Sequence, residues 1–514
     1  MARNKPLFFL VVLSCFALSS CNLHRKTGGG GGGGGGNATV SFTLVADTLP
    51  TNPSILSFNV TISGITLTPA TGTAQTLQPS PSVVDLMRLQ SDTAFLGTLT
   101  SVVAGSYTVQ VAFSNPEITF LNDTASAITI GTASCPSGAV CAANLTAAGT
   151  PTIGSFTFTV NSMGQRGIGI DFNLKNAISL SGTTLSVNFN PSSPNPGVLS
   201  AVALPKTNAN LGANQLDLIE DFSGVVAING SSVTITSPTR GTLTATSTSS
   251  TNLDHDPSGT LCPSGTTTLS TCVKASQVAS IDAILDADGT LSIREIEPLL
   301  SAQQDFVEGI VAAINPSSQA QFGIVVTDKP SVATTNSLIS ALKVGDLLTV
   351  NLSSSVNPFL VDTKGLAVDT SFTASFNFFN GQTTTSAMHL GQTVGVHVIA
   401  PFTAATGTTP ASATADTVIL RWSRFRANVV STTANTINID TLPSYFGIST
   451  SSQGVVQAFL TGALGTDGIT NLDGVANNTS GLTTGKPVGL RALYLQNTTN
   501  TATTPFFAAK IRQP

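Results

Sequence analysis

The sequence predicts an all-β protein, with an N-terminal β-sandwich followed by about three small antiparallel β-barrel or sandwich repeats. Three observations lead to this prediction. Apolar and polar residues alternate over short segments separated by Gly, Pro, Ser and Asn, as in half-buried strands joined by turns. Only 9% of the 514 residues are charged, so Ser, Thr and Asn supply the polar surface, which suits the solvated face of a sheet. Similar segments also recur in the C-terminal half of the chain.

Residues 1–21 have the features of a bacterial lipoprotein signal peptide. Arg3 and Lys5 provide a positive start, and the apolar run after them, about a dozen residues long, is too short to span a bilayer comfortably. The run ends in the letters LSSC, which resemble a lipobox: an aliphatic residue, two small residues and a cysteine, here Cys21. In lipoproteins with this motif the cysteine becomes the first mature residue and carries the lipid. An ordinary signal peptide with a chance cysteine is the alternative.

Residues 22–37 are predicted to form a flexible tether, because the glycine run at 28–36 would lose the most backbone entropy in any regular structure. A Gly-rich coil of this length has a root-mean-square reach of roughly 20–25 Å. The predicted partner is therefore a membrane, reached through the lipid on Cys21, and the predicted location is the cell envelope. By resemblance to bacterial lipoprotein sorting, Asn22 after the cysteine favours the outer membrane or cell surface over the inner membrane.

The β-sandwich is predicted over residues 38–205. Its segments place apolar side chains with a period of two, for example Val40, Phe42 and Leu44 in the first segment. Similar alternation continues to Pro191 without a long amphipathic helix. Seven or more such strands pack most naturally as two facing sheets.

This segment resembles a known family, the domain of unknown function 4382. The resemblance rests on four motifs in order: ILSFNVTISGITLTP, VVDLMRLQ, VVAGSYTVQVAF and GIGIDFNLKNAISLSG. It implies a secreted or lipid-anchored bacterial protein. The family has no known activity, so the resemblance implies no catalytic residue.

Three further β-rich repeats are predicted over residues 216–300, 301–424 and 425–514. Their openings are similar to one another: FSGVVAINGSSVTITSP, VEGIVAAINPSSQAQFGIVVTD and FRANVVSTTANTINIDTLP. Two closings, GQTVGVHVIAP and GKPVGLRALYL, share Gly-x-x-Val-Gly before an aliphatic and a basic residue, and KVGDLLTVNLS is interpreted as a weaker copy. The pattern resembles the domain of unknown function 5666, a β-rich repeat of bacterial envelope proteins, which again brings no activity. The letters VILRWSRFRANVV close one repeat and open the next, so we expect neighbouring repeats to be coupled.

Four cysteines form two local pairs, Cys135 with Cys141 and Cys262 with Cys272. Each pair opens with Cys-Pro-Ser-Gly, a turn-forming sequence. In an oxidising envelope these pairs are predicted to form two disulfides that stiffen hairpin tips. A metal site built from all four thiolates is the rival interpretation, but the spacings are not Cys-x2-Cys and no histidine lies in ligand spacing.

Two aspartate-rich segments are candidate cation loops, but in both the pattern favours an ordinary turn or loop over a cation site. Asp286 and Asp288 precede Gly289 as in a calcium loop, but the first ligand position holds an isoleucine, and the flanking alternation predicts a β-hairpin with an Asp-Gly turn. Asp254 and Asp256 begin a similar pattern that lacks the ligand at position twelve, which predicts a disulfide-stapled loop. We therefore predict no metal site and no cofactor, and leave open whether either loop binds a cation.

Two basic segments are predicted to be structural. His397 has the same place in its closing motif as Arg491 has in the other, which predicts a solvated strand face. The letters RWSRFR, residues 421–426, place Trp422 among three arginines, with alternate residues facing opposite ways on a strand. This segment forms either an aromatic-basic binding face or a tryptophan packed at a domain junction under arginines, and the second is favoured.

The sequence favours a non-enzymatic, lipid-anchored envelope or cell-surface protein that presents β-domains to a polysaccharide or to another envelope protein. It has no Gly-x-Ser-x-Gly or His-Glu-x-x-His motif. Its net charge of −5 comes with no basic stripe, so nucleic acid is not an expected partner. Two alternatives are an envelope carbohydrate-active hydrolase, whose paired carboxylates a sequence does not reveal, and a purely structural spacer.

Overall fold

The described part of the chain consists mostly of strands, with only short helical turns between them. This confirms the predicted all-β fold. No helix in this part is long and apolar enough to cross a membrane. The predicted signal peptide, Cys21 and the glycines of the tether lie outside it. The computed structural model describes residues 37–46, 53–79, 83–146, 152–158, 166–190, 197–205, 208, 210–366, 376–407, 409–447, 454–458, 470–475, 479–496 and 504–513.

The N-terminal region is a β-sandwich. Its elements are β1 (Asn37–Ala46), β2 (Ser54–Pro69), β3 (Gln75–Leu77), β4 (Val83–Asp85), β5 (Ala94–Val103), β6 (Gly105–Leu121), β7 (Ile128–Ile130), β8 (Ala133–Cys135), β9 (Val140–Asn144), β10 (Thr152–Phe158), β11 (Arg166–Phe172), α1 (Leu174–Ala177), β12 (Ile178–Ser181), β13 (Thr184–Val187) and β14 (Leu199–Leu204). One sheet has the order β14-β11-β1-β5, in which β1 and β11 run parallel. The other has the order β10-β6-β2-β3, with β4 on β2 and β9 on β6, and a small third sheet has the order β12-β13-β7-β8.

Three six-stranded barrels follow the sandwich. Barrel 1 contains β15 (Gln215–Asn229), β16 (Ser232–Ser237), β17 (Gly241–Thr246), β18 (Asn252–Leu253), α2 (Leu269–Cys272), β19 (Val278–Asp286) and β20 (Leu291–Leu300). Barrel 2 contains β21 (Phe306–Ile314), β22 (Gln321–Ser331), β23 (Leu347–Leu352), β24 (Leu360–Val361), β25 (Thr393–Thr403) and β26 (Ala411–Arg421). Barrel 3 contains β27 (Ser423–Thr432), β28 (Thr436–Asp440), β29 (Gly454–Ala458), β30 (Asn471–Asp473), β31 (Pro487–Tyr494) and β32 (Thr504–Arg512).

The three barrels share one topology. In each, the first strand pairs with the second and the fifth, the second pairs with the third, and the sixth pairs with the fifth. The third and sixth strands pair in parallel and close the barrel, and the short fourth strand adds to the sixth. Without the short strand, the order of the five barrel strands is 1-2-3-5-4-1, which is the connectivity of the OB-fold. The repeats seen in the sequence are therefore copies of one barrel.

The recurring segments occupy equivalent strands. The three openings are the first two strands of each barrel, and the two closings are the fifth strands, β25 and β31. The fifth strand of barrel 1, β19, was missed because its sequence VASIDAILD lacks the Gly-x-x-Val-Gly pattern. The interpretation of KVGDLLTVNLS as a further closing is wrong, since it contains β23, the third strand of barrel 2.

The sandwich core lies between its two large sheets, and barrel 1 covers the other face of β1. Phe42 and Leu44 of β1 pack with Phe58 of β2, and all three are fully buried. Thr43 points the other way and is only 1% exposed, and its hydroxyl donates a hydrogen bond to Asp217 of β15 at 3.1 Å. A strand that alternates in sequence is therefore buried on both faces.

The structure joins Cys135 to Cys141 and Cys262 to Cys272, as predicted. The expectation that both bonds stiffen hairpin tips is wrong. β8 and β9, which carry Cys135 and Cys141, belong to different sheets and do not form a hairpin. Cys262 and Cys272 are 1% and 0% exposed and belong to the hydrophobic core of barrel 1. The second disulfide is therefore part of that core.

Barrels 2 and 3 are joined through a single residue, Trp422, between the end of β26 and the start of β27. Trp422 is fully buried in a core that also contains Leu493 and Phe507 of barrel 3. The tryptophan thus packs at a junction between barrels, as favoured from the sequence. Residues 36–514 form one compact unit.

Candidate functional site

The charged residues are the unusual feature of this fold. The chain has only 21 basic and 26 acidic residues, and about half of them are buried. Charged side chains are almost never buried without partners, because removing them from water is costly. The sequence singles out the arginines of residues 421–426 but not the acids that pair with them. In the structure many of the charged residues meet where the sandwich and the barrels touch.

Arg424, on β27 of barrel 3, connects all four parts of the molecule. Its Nε lies 2.6 Å from the Asp92 carboxylate of the sandwich, and its Nη1 lies 3.2 Å from Glu308 of barrel 2. Its Nη2 also pairs with Asp221 of barrel 1. The Arg424 side chain is 8% exposed and the three carboxylates are 2% exposed or less. One guanidinium therefore holds acids from three other units in a site that is nearly closed to water.

Arg421, at the end of β26, enters the same site from barrel 2. Its Nη2 lies 2.7 Å from Asp221 and its Nε lies 3.2 Å from Glu308. Its Nη1 pairs with Asp362, which follows β24. Regular alternation would place Arg421 and Arg424 on opposite faces, as predicted. They share partners instead, because Trp422 interrupts the strand between them.

Arg88 supplies the third guanidinium, from a 3-10 turn of the sandwich at Arg88–Gln90. It lies 3.2 Å from Asp92, 3.5 Å from Glu308 and 3.3 Å from Asp328 of β22. Its Nη2 donates to the Asp221 carbonyl oxygen at 3.0 Å. We call this group the ionic junction: Arg88, Asp92, Asp221, Glu308, Asp328, Asp362, Arg421 and Arg424.

The electrostatics of the ionic junction favour charged carboxylates. Burial acts to raise the pKa of Asp92, but Arg424 and Arg88 outweigh it and hold that pKa below its usual range. Burial acts in the same way on Asp221, and Arg421 and Arg424 hold its pKa well below the usual range. Both aspartates are therefore ionised and fully paired at neutral pH.

A second set of ion pairs joins barrel 3 to its neighbours. Arg491 and Lys510 hold Glu220 of barrel 1 at 3.1 and 2.6 Å. Arg512 pairs with Asp473 at 2.6 Å and donates to the Asp92 carbonyl oxygen of the sandwich at 2.8 Å. The predicted solvated face is thus wrong for Arg491, whose side chain is 2% exposed.

His397, the counterpart of Arg491 in barrel 2, has a different environment. It is partly exposed and its Nδ1 lies 2.6 Å from the Asp416 carboxylate. Equivalent positions of barrels 2 and 3 have therefore diverged: Arg491 belongs to the buried ion pairs, whereas His397 is partly exposed.

An acid-rich group lies between barrels 1 and 2. Lys364 of barrel 2 reaches Asp282 at 3.1 Å and Glu295 at 3.7 Å in barrel 1. Burial raises the pKa of nearby Asp254 to about 8, with further contributions from Glu295 and Asp362. Asp254 therefore holds a proton at neutral pH, in contrast to the aspartates of the ionic junction.

The two candidate cation loops have internal partners. The Asp256 carboxylate accepts hydrogen bonds from the backbone N–H of Cys262 at 3.0 Å and of Ser258 at 3.2 Å. Asp286 and Asp288 lie in the predicted hairpin between β19 and β20, with Gly289 at φ +81°. Within the described ranges, no three of the His, Cys, Asp and Glu side chains are arranged to hold a metal ion.

A cleft of about 570 Å³ opens beside the ionic junction. Its walls come from three units: β2, β4, β5 and β6 of the sandwich, β15 and β17 of barrel 1, and β22 of barrel 2. Arg88 lines the cleft and also belongs to the ionic junction. The position of the cleft therefore depends on how the junction holds the units together.

Comparison with known proteins adds no assignment. No family model matches the chain, and no curated protein matches it significantly. The two resemblances noted from sequence motifs stay predictions.

Proposed function

We propose that this chain is a non-enzymatic, lipid-anchored envelope or surface protein that displays its four β-units as one rigid body for binding. The observation that carries the proposal is Arg424, which ion-pairs with the sandwich, barrel 1 and barrel 2 from its place in barrel 3. A chain of independent domains would have exposed, polar contacts between its units. Buried ion pairs shared by four units fix their mutual geometry instead.

Close backbone packing supports the same proposal. Gly489 of β31 lies against the carbonyl oxygen of Gln90 in the sandwich, and a Cβ there would come within 2.3 Å of it. Gly391 of barrel 2 lies equally close to the Phe446 ring of barrel 3, with 2.2 Å to an added Cβ. Contacts this close leave no room for sliding between units.

The use of charge in the ionic junction favours a structural role over catalysis. A catalytic carboxylate has to face an open substrate site, and a hydrolase of glycosides needs two of them across a cleft. Asp92, Asp221 and Glu308 are instead enclosed and engaged by arginines. The carbohydrate-active alternative would require other carboxylates.

The anchored location rests on the N-terminal motif and on the disulfides. The letters LSSC at Cys21, followed by the glycine run 28–36, favour a lipid anchor and a tether. The disulfides Cys135–Cys141 and Cys262–Cys272 are typical of an oxidising compartment. A bacterial cell envelope satisfies both.

Palmitate labelling tests the anchor. We expect cells that express the full chain to incorporate radiolabelled palmitate into it, and Cys21→Ala to abolish the label. Cys15→Ala is the matched control, since it changes the other cysteine of the predicted signal region and should keep the label. Labelling that survives Cys21→Ala would overturn the anchor.

The non-enzymatic role is tested separately. The purified full chain is applied to a glycan array and incubated with the polysaccharides it retains, and the products are analysed by mass spectrometry. The proposal expects retained polysaccharides to keep their length. Release of shorter oligosaccharides would replace the proposal with the hydrolase alternative.

A further inference from the structure

The cleft beside the ionic junction has the composition of a ligand site. Its volume of about 570 Å³ falls within the range of small-molecule pockets. Barrel 1 contributes Ile219, Phe222 and Leu243 to its lining, and the sandwich contributes Phe95 and Leu89. This apolar surface suits the body of a small organic molecule.

Two of the four basic residues that line the cleft are already occupied. The Lys329 ammonium donates to the backbone carbonyl oxygens of Ile339 and Ser340, both at 3.4 Å, and also to that of Leu342. Arg88 is held by Asp92 and Asp328 of the ionic junction. Neither cation is available to a ligand.

Arg240 is the exception. Its guanidinium lies 4.5 Å from the centre of the Phe222 ring, and its Nη1 donates to the Asp221 carbonyl oxygen at 2.5 Å. Its nearest carboxylate, on Asp328, is 3.9 Å away and already shared with Arg88. Within the described residues, its Nε and Nη2 have no hydrogen-bond partner. Burial, followed by repulsion from Arg88, lowers the pKa of Arg240 to about 10.

Two acidic residues, Asp85 and Glu117, also line the wall of the cleft. Asp85 accepts hydrogen bonds from the backbone N–H of Phe58 at 2.9 Å and of Met87 at 3.0 Å. Burial nevertheless raises its pKa to about 6, and burial also raises the pKa of Glu117. Exposed Lys343 lines the cleft as well and acts against the shift at Glu117. The cleft therefore offers one incompletely paired guanidinium over an apolar surface.

We propose that this cleft binds a small amphiphilic carboxylate, with its apolar body against Ile219, Phe222 and Leu243 and its carboxylate on Nε and Nη2 of Arg240. A bidentate arginine–carboxylate pair satisfies both free donors at once. The ligand supplies a carboxylate in direct contact with Arg240, whose nearest carboxylate within the fold is 3.9 Å away on Asp328. The inference rests on the proposed binding role of the rigid body, but not on the lipid anchor.

Three isosteric probes test the ligand class: 2-naphthoate, its neutral amide 2-naphthamide, and its cationic amidine 2-naphthamidine. Each is titrated calorimetrically into the full-length chain in lipid nanodiscs, with empty nanodiscs as the blank. We expect saturable binding of naphthoate at one site per chain, naphthamide weaker by about tenfold to a hundredfold, and no binding of the amidine. Equal affinity for naphthoate and naphthamide, or no saturable naphthoate binding, would overturn the proposal.

Two variants locate the site. Arg240→Gln removes the charge and keeps a donor near the Asp221 carbonyl oxygen, and we expect naphthoate affinity to fall by about tenfold or more. Lys274→Gln removes an exposed cation on the loop before β19 and should leave the affinity unchanged. An equal loss in both variants, or none in Arg240→Gln, would contradict the proposal.

A third variant guards against misfolding. Should Arg240→Gln lower the melting temperature, Lys343→Gln provides the same test at an exposed position of the lining. It is expected to weaken naphthoate binding severalfold without changing the melting temperature, and unchanged binding would count against the site. Palmitate labelling tests the lipid anchor and the titrations test the ligand site. A negative result in one experiment therefore leaves the other interpretable.

Discussion

Replacing Arg424 with methionine is the most informative perturbation of the ionic junction. The Arg424→Met side chain keeps much of the apolar stem and removes the guanidinium. Asp92, Asp221 and Glu308 then each lose one of their cationic partners. The change also removes the hydrogen bond from Nη1 to the Trp422 carbonyl oxygen at 3.0 Å. The three ion pairs all reach other units, so the effect mainly measures the coupling between units.

The magnitude follows from what the three acids retain. Breaking a buried ion pair by removing one partner costs about 3–5 kcal/mol of the free energy of unfolding. After Arg424→Met, Asp92 keeps Arg88 at 3.2 Å, while Asp221 and Glu308 keep Arg421 at 2.7 and 3.2 Å. We therefore expect a loss near the lower end, about 3 kcal/mol.

Arg421→Met provides an internal comparison. It removes the guanidinium that pairs with Asp362, a carboxylate that is 0% exposed and otherwise accepts a backbone hydrogen bond from Lys364 at 3.2 Å. A buried acid left without its arginine costs more than one that keeps a second arginine, so we expect about 5 kcal/mol. The predicted order of destabilisation is Arg421→Met above Arg424→Met.

Urea denaturation with two probes measures these effects. The fluorescence of Trp422, the only tryptophan of the chain, reports on the junction of barrels 2 and 3, and far-ultraviolet circular dichroism reports on all strands. We expect the two transitions to coincide in the wild type and to separate in Arg424→Met, with the fluorescence change at lower urea. Lys486→Met, at an exposed residue before β31, is the matched control and should leave both midpoints in place.

The reasoning would be refuted if Arg424→Met moved the midpoints no further than Lys486→Met. That outcome would mean that the arginine gains no more from its three acids than it loses in desolvation. A larger loss of unfolding free energy in Arg424→Met than in Arg421→Met would refute the argument from residual partners.

Two further predictions concern pH and the disulfides. The pKa of Asp254, about 8 in the folded chain and 3.8 ordinarily, makes stability fall as pH rises through that interval, because the unfolded chain loses the proton first. The free energy of unfolding of Asp254→Asn, measured by urea denaturation, should therefore rise relative to the wild type by about 1.4 kcal/mol for each pH unit between those values. A difference that stays constant with pH would contradict this. Under dithiothreitol, alkylation followed by mass spectrometry should detect Cys135–Cys141 reduction first, since Cys141 is half-buried whereas Cys262 and Cys272 are buried. Reduction of either disulfide should lower the free energy of unfolding by about 2–3 kcal/mol. Simultaneous reduction would contradict the order.

Much of the fold was accessible from local patterns. The period-two alternation of β1 predicted the buried residues Val40, Phe42 and Leu44 correctly. Successive side chains of a strand point to opposite faces, so every second residue faces the core. The shared opening segments identified first and second strands in all three barrels. The fifth strand of barrel 1, β19, was not recognised as a closing segment. It pairs in its barrel as β25 and β31 do, but it lacks their glycines.

The ionic junction was not accessible in the same way. Its residues lie far apart in sequence, and a charged residue on an alternating strand is ordinarily placed on a solvated face. A signal was present in the segment FVEGIVAA, where the acid Glu308 interrupts an apolar strand. In a chain with 9% charged residues, such acids indicate buried partners elsewhere. The identity of those partners required the packing of the sandwich against the barrels.

Trp422 shows a further limit of period-two reasoning. The prediction that it packs at a junction was right, but the facing of its arginines was wrong. A single residue outside the strands, between β26 and β27, resets the alternation. Arg421 and Arg424 consequently share Asp221 and Glu308.

The claim that the four units form one rigid body is tested most directly by a distance distribution in solution. Genetically encoded spin labels at Lys175 of the sandwich and Lys486 of barrel 3, both exposed, leave the native cysteines unchanged. Double electron–electron resonance on the full chain should give a single narrow distance between the two labels, which broadens in Arg424→Met. A broad or two-peaked distribution in the wild type would contradict the rigid body.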